Sequence, residues 1–280
     1  MYTRFMKNYL ISKFYDIFVQ LNNGLDHLGF GIYKKHSKSD IRYFIQNLRP
    51  RLTQYELLRI GSENDGGYLV PDDLEGIEAI YSPGVDKNSS FELFFAERGI
   101  RCYLLDYSIE SLPLQHSQFH FEKKFLGVVD DNVYITLDSW LRKNNEKGQN
   151  LLLQMDIEGE EWQVLQSASV SLLENFRILV IEFHGLPDRL GMRHNFKQTE
   201  LLFQKLLKSF EIVHIHENNC CKSFRTQGIF IPEVVEITFL RKDRISGPKR
   251  IAPIPHPLDQ KNIKENGLIK VPKEWTDEYK

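Results

Sequence analysis

The sequence predicts an α/β fold built on a mostly parallel sheet, and three observations carry that reading. From Tyr55 onward, short apolar runs alternate with stretches of helical periodicity, the pattern of successive βαβ units. The apolar runs end in acids or histidines: Asp106, Asp130-Asp131, Asp156, His184 and His216. The run over residues 151–155 passes through Asp156-Ile157-Glu158-Gly159 directly into an acidic amphipathic helix. Open α/β sheets place ligands outside strand ends of this kind.

The elements follow in order. Over residues 1–22, Phe5, Met6, Tyr9, Leu10, Phe14, Ile17, Phe18 and Leu21 recur at helical steps, with Arg4, Lys7 and Lys13 among them. This amphipathic helix is expected to pack on the body or on a second copy in a homo-oligomer. Its basic, apolar character also fits a peripheral membrane contact at the inner face of the membrane. A second helix is expected over 39–48, capped by Ser39 or Asp40 and closed by Arg49-Pro50. Residues 1–54 therefore read as an N-terminal helical extension.

Asp65-Gly66-Gly67 is a hairpin signal. Strands are expected over 78–81, 101–105, within 119–129 up to Asp130-Asp131, over 151–155, 178–183, 212–215 and 234–240. Helices are expected over 91–98, 137–143, 160–173 and 199–209. A polar loop without a helix joins the last two strands, which predicts an antiparallel strand at the end of the sheet. Residues 55–244 form the main domain in this reading. Pro248, Pro253, Pro255, Pro257 and Pro272 then mark 245–280 as an extended tail.

Composition bounds the function. The 280 residues are 41% hydrophobic and 26% charged, as in ordinary globular proteins. A net charge of −2 gives no footprint for nucleic acid. Three cysteines without regular spacing exclude a disulfide framework and fit a cytoplasmic setting. No apolar run approaches a membrane span, and the N-terminus does not read as a secretory signal.

The candidate site groups lie at strand ends. Gly84, in Ser82-Pro83-Gly84-Val85, lets backbone approach a ligand. Asp106, about twenty residues on, is placed to accept from ribose hydroxyls. Residues two apart share a strand face, so Glu182 pairs with His184 and His214 with His216. Convergence of Asp156, Glu158, Glu182, His184, His214 and His216 at one rim would support acid–base work or an oxygen/nitrogen metal site. The G-x-G-x-x-G, G-x-S-x-G and phosphate-loop motifs are absent.

In order, RIGSENDGGYLVP, YSPGVDKNSSFE, CYLLDYS, LDSWL, LLLQMDIEGEEWQVL, IEFH, VHIHENN and VEITFLRKD resemble the FkbM-type family of S-adenosylmethionine-dependent methyltransferases over residues 55–244. The resemblance implies a class I methyltransferase fold, a Rossmann-like seven-stranded sheet with helices on both faces. It implies S-adenosylmethionine as cofactor, with Ser82 and Gly84 at its methionine part, Asp106 at the ribose and Asp130 near the adenine. Asp65 and Tyr68 would border cofactor or substrate, and Asp156 would stand beside the transferred methyl.

The family's association with O-methylation makes a sugar hydroxyl the expected acceptor, on a nucleotide-sugar, surface polysaccharide or glycolipid. His216 or His184 would remove the hydroxyl proton while Asp156 orients the acceptor. A variant places a divalent metal on Asp156, His184 and His216. Rival readings are transfer to a small amine or phosphate-linked acceptor, and a non-catalytic methyltransferase-fold interaction module.

Overall fold

The computed structural model describes residues 36–144, 148–248 and 250–276. The helix expected over 1–22 lies outside them. The central sheet has seven strands: β1 (Ala79–Pro83), β2 (Arg101–Leu105), β3 (Phe119–Glu122), β4 (Leu151–Met155), β5 (Phe176–His184), β6 (Phe210–Glu217) and β7 (Val234–Arg241). Their spatial order is β3-β2-β1-β4-β5-β7-β6. All neighbours pair parallel except β7, which runs antiparallel to both β5 and β6.

Period-2 alternation along these strands builds two cores. Tyr81, Leu151, Leu153, Met155, Leu179 and Ile181 face one side, and Ile80, Leu152, Ile178 and Val180 the other. Four amphipathic helices cover the first face: α1 (Lys38–Asn47), α3 (Leu137–Lys143), α4 (Glu161–Ser167) and α6 (Arg193–Ser209). The second face receives α2 (Ser90–Ala96) through Phe91 and Phe95. It also receives the hairpin of Leu57–Gly61 with Gly67–Pro71, through Ile60, Tyr68 and Val70. Both faces are covered, the second largely by a hairpin.

Several expectations change here. The closing strand is not at the sheet's end: β7 lies between β5 and β6. Every residue from Val234 to Leu240 is buried, which suits an interior strand covered on both faces. The third strand stops at Glu122 rather than at Asp130, because Glu122-Lys123-Lys124 interrupts the apolar run. The chain then forms a separate ladder, Phe125–Gly127 with Tyr134–Thr136. α1 is capped by Ser37, whose Oγ accepts from the Asp40 N–H, not by Ser39 or Asp40. The helix expected over 160–173 breaks at Ala168, and Ser169 caps a new turn, Val170–Leu173. A short helix α5 (Leu186–Gly191) precedes α6.

The tail packs on the body. Arg250–Ile251 pairs with Arg51–Leu52, and Trp275 is buried in the first core with its Nε1 donating to the Ile45 carbonyl. No helix among the described residues is long and apolar enough to cross a membrane.

Candidate active site

Strand order reverses between β1 and β4, and in open α/β sheets ligands bind at such a switch point. A cavity of about 720 Å³ opens there. Its walls include Gly84 after β1, Leu105 and Asp106 at the end of β2, and Asp156, Ile157 and Glu158 after β4. The hairpin contributes Asp65 and Gly66 from its loop and Tyr68 from its second strand, and Phe125 and Tyr134 close another side.

Gly84 has φ +86, and a Cβ there would sit 1.5 Å from the Asp156 carbonyl oxygen. The ends of β1 and β4 therefore meet backbone to backbone, which only glycine allows. Asp106 is buried and organises the turn beyond β1. Its Oδ2 accepts from the Asp86 N–H at 2.8 Å, and its Oδ1 accepts from the Ser108 N–H and hydroxyl at 2.7 and 2.6 Å. Asp86 takes left-handed backbone, φ 43, to present that N–H. Strained non-glycine residues of this kind concentrate at functional sites.

Ser82 lies beneath the cavity rather than on its wall. Its Oγ is 2.5 Å from Glu92 Oε1 and 2.6 Å from Gln154 Oε1. One hydroxyl proton cannot serve both oxygens. Burial pushes the Glu92 carboxyl up to about 7, so the protonated acid donates to Ser82 and Ser82 donates to Gln154. Gln154 Nε2 in turn donates to the Tyr68 hydroxyl at 3.2 Å. The chain of bonds ties α2, β1, β4 and the hairpin together under the cavity. Neither Glu92 nor Gln154 stood among the sequence candidates. The available signal was a lone glutamine inside the apolar strand Leu151–Met155.

At the end of β5, His184 gathers four acids. Its Nε2 lies 3.8 Å from Asp156, 3.5 Å from Glu158 and 3.8 Å from Glu182, and its Nδ1 lies 3.5 Å from Glu161. Burial pushes Asp156 up to about 7, with His184 partly offsetting it. Burial opposes charge on His184, but Glu161, Asp156 and Glu158 outweigh it and hold the ring above its ordinary value. Burial raises Glu182 well above the carboxylate range, with Asp156 and Glu236 adding to it.

Glu161 has a supporting task. It is wholly buried, its Oε1 accepting from the His184 N–H at 2.7 Å and its Oε2 from the Gly159 N–H at 2.8 Å. Trp162 Nε1 donates to the His184 carbonyl at 2.8 Å. The Glu-Trp pair of the DIEGEEW element thus pins the β4 loop to the end of β5.

Besides Ser82, two expected site residues stand elsewhere. Asp130 does not line the cavity. It accepts from the Thr136 N–H and the Ser139 hydroxyl at 2.7 Å each, which holds the turn before α3, and these bonds depress its carboxyl. His216 does not join Asp156 and His184, because the tail covers it. His216 Nε2 lies 3.2 Å from Asn262 Oδ1, and its Nδ1 lies 3.7 Å from Asp259. His214 Nε2 bonds Asp259 Oδ1 at 2.8 Å. Burial disfavours charge on His216, but Asp259 and Glu236 prevail and hold it at about 9. Asn262 Nδ2 also donates to Glu236 at 2.6 Å and to Asp65 at 3.3 Å. Asp259 and Asn262 are support residues that nothing local in the proline-rich tail announces.

The sheet order and the cavity at its reversal define a Rossmann-like α/β protein. Residues 84–210 match the family described as methyltransferase FkbM domain. No curated protein matches the chain in sequence. A solved structure described as "Conversion of a Disulfide Bond into a Thioacetal Group during Echinomycin Biosynthesis" is 14% identical, with a TM-score of 0.31. That likeness covers 58% of this chain and 75% of the other, and it adds nothing to the fold already described.

Proposed function

We propose that the chain transfers a methyl group from S-adenosylmethionine to a hydroxyl of a sugar, carried on a nucleotide, a surface polysaccharide or a glycolipid. The observation that carries the cofactor reading is the Gly84–Asp156 backbone approach, which opens the switch-point cavity beside the buried acid Asp106. When bound, S-adenosylmethionine supplies a methyl group on a positively charged sulfur. The residues present fit it. Gly84 leaves room for close backbone contact, and Asp106 keeps spare lone pairs for ribose hydroxyls. Asp65, Asp156 and Glu158 give the cavity the negative wall that a cation favours. Phe125 and Tyr134, with rings 5.8 Å apart, supply an aromatic side.

The acceptor side is acid-rich, and carboxylates accept from several hydroxyls at once, as a sugar requires. In this reading Asp156, on the cavity wall, orients the acceptor, and the His184 ring 3.8 Å from it receives the hydroxyl proton. A cationic amine is the second acceptor those acids favour. Calorimetry with S-adenosylhomocysteine, followed by labelled methyl transfer to a panel of nucleotide-sugars, glycans and small amines, tests the reading. Absence of S-adenosylhomocysteine binding by the folded chain sinks the cofactor assignment. Turnover confined to amines sinks the sugar.

A further inference from the structure

We infer that Asp156, Glu158 and His184 form a binding site for a divalent transition-metal cation at the acceptor side of the cavity. The ligand atoms of these three residues all lie within 4.8 Å of one another. His184 Nε2 stands 3.5 Å from Glu158 Oε2 and 3.8 Å from Asp156 Oδ1. Both separations exceed a working hydrogen bond. They suit two ligands of one ion, because donors about 2.1 Å from a shared tetrahedral centre sit roughly 3.4 Å apart. One imidazole nitrogen with two carboxylates is a donor set for Mn²⁺, Fe²⁺ or Zn²⁺ rather than for an all-oxygen ion such as Ca²⁺.

A second observation points the same way. Glu182 is 4% exposed, and its Oε2 has no hydrogen-bond partner. Its Oε1 accepts from Asn218 and lies 3.8 Å from His184 Nε2. Asp156 Oδ1 is likewise buried without a partner. The ion pairs of Asp156, Glu158, Glu161 and Glu182 among the described residues all run to the single ring of His184. Glu161 accepts from the His184 backbone N–H and fixes the strand end that presents the ring.

The inference rests on the methyl-transfer reading for its use. Asp156 and Glu158 line the cavity, so a cation held there leaves open positions toward an acceptor hydroxyl. A hydroxyl bound to it breaks its O–H bond heterolytically. With the cation in place Asp156 and His184 would serve as its ligands instead of taking the proton, which would go to solvent water while the electron pair stays on the oxygen, stabilised by the cation.

The test is titration of the metal-stripped full chain with Mn²⁺, followed by loss of the free-ion electron paramagnetic resonance signal and by calorimetry. The expected result is one ion per chain, weakened by about ten-fold or more in Glu158→Gln and in Asp156→Asn. Glu158 is largely exposed, so E158Q keeps the fold, and a thermal melt checks this. Failure to bind Mn²⁺, or unchanged affinity in both variants, overturns the site. S-adenosylhomocysteine binding is measured on the same samples: its presence without Mn²⁺ binding overturns the metal alone, and its absence overturns the cofactor reading instead.

Discussion

Replacing Glu92 by glutamine changes how stability depends on pH, by an amount the structure sets. The carboxyl is 2% exposed, one oxygen lies 2.5 Å from Ser82 Oγ, and the other has no partner. Burial raises it from 4.5 to about 7. Below pH 4.5 the acid is protonated in both folded and unfolded chains, and its contribution is complete. Between 4.5 and about 7 the unfolded chain releases the proton while the folded chain keeps it, so stability falls. Above about 7 the loss has levelled off. Glutamine keeps a donor for Ser82 and has no proton to lose. Relative to wild type, Glu92→Gln therefore gains roughly 2 to 3 kcal/mol between pH 5 and pH 8. That is a large part of a typical stability of about 5–15 kcal/mol. Urea unfolding of both proteins across this range measures it, since the other titrating acids cancel in the difference. Parallel stability curves for the two proteins would refute the neutral-acid assignment and the donor order from Glu92 through Ser82 and Gln154 to Tyr68.

Other outcomes follow from the same geometry. Gly84→Ala drives a Cβ into the Asp156 carbonyl at positive φ; it costs about 2 kcal/mol or more and removes S-adenosylhomocysteine binding in calorimetry. Glu161→Ala strands the buried N–H groups of Gly159 and His184, so urea unfolding should show a loss on the order of 3 kcal/mol, with Glu161→Gln recovering part of it. Asp259→Ala leaves charged His216 buried without the tail carboxylate and costs on the order of 3 kcal/mol near neutral pH. His216 is held up at about 9, so that contribution is full below its ordinary value near 6.5 and is lost as pH rises through about 9. Thermal melts of wild type and D259A should draw closer over that window, the His214–Asp259 bond leaving a residual gap; a gap that widens with pH refutes the pairing.

What the sequence determined by itself was local. Strands over 101–105 and 151–155 and the helix over 137–143 fall where the apolar patterns place them, and the Asp-Gly-Gly turn does close a hairpin. These follow from side-chain periodicity and turn chemistry acting within a few residues. The order of short motifs, ending in the FkbM match over 84–210, also needs only the chain. Gly84, Asp106 and Asp156 do line one cavity, because strand ends at a sheet's reversal meet there, and the hairpin brings Asp65 and Tyr68 to it.

Tertiary structure decided the rest. His216 read as a partner of His184, but its fate is set by Asp259 and Asn262, more than forty residues away. Asp130 read as the end of a sheet strand, but three charged residues at 122–124 had already turned the chain out of the sheet. β7 took an interior place because a strand buried on both faces is stable only where neighbours flank it. The bonds from Glu92 to Tyr68 join residues from four elements, and Glu182 and Glu236 become neighbours through the β5–β7 pairing. Periodicity reports which way a side chain faces; the proton it holds and the partner it meets depend on burial and charge, which exist only once distant segments have packed.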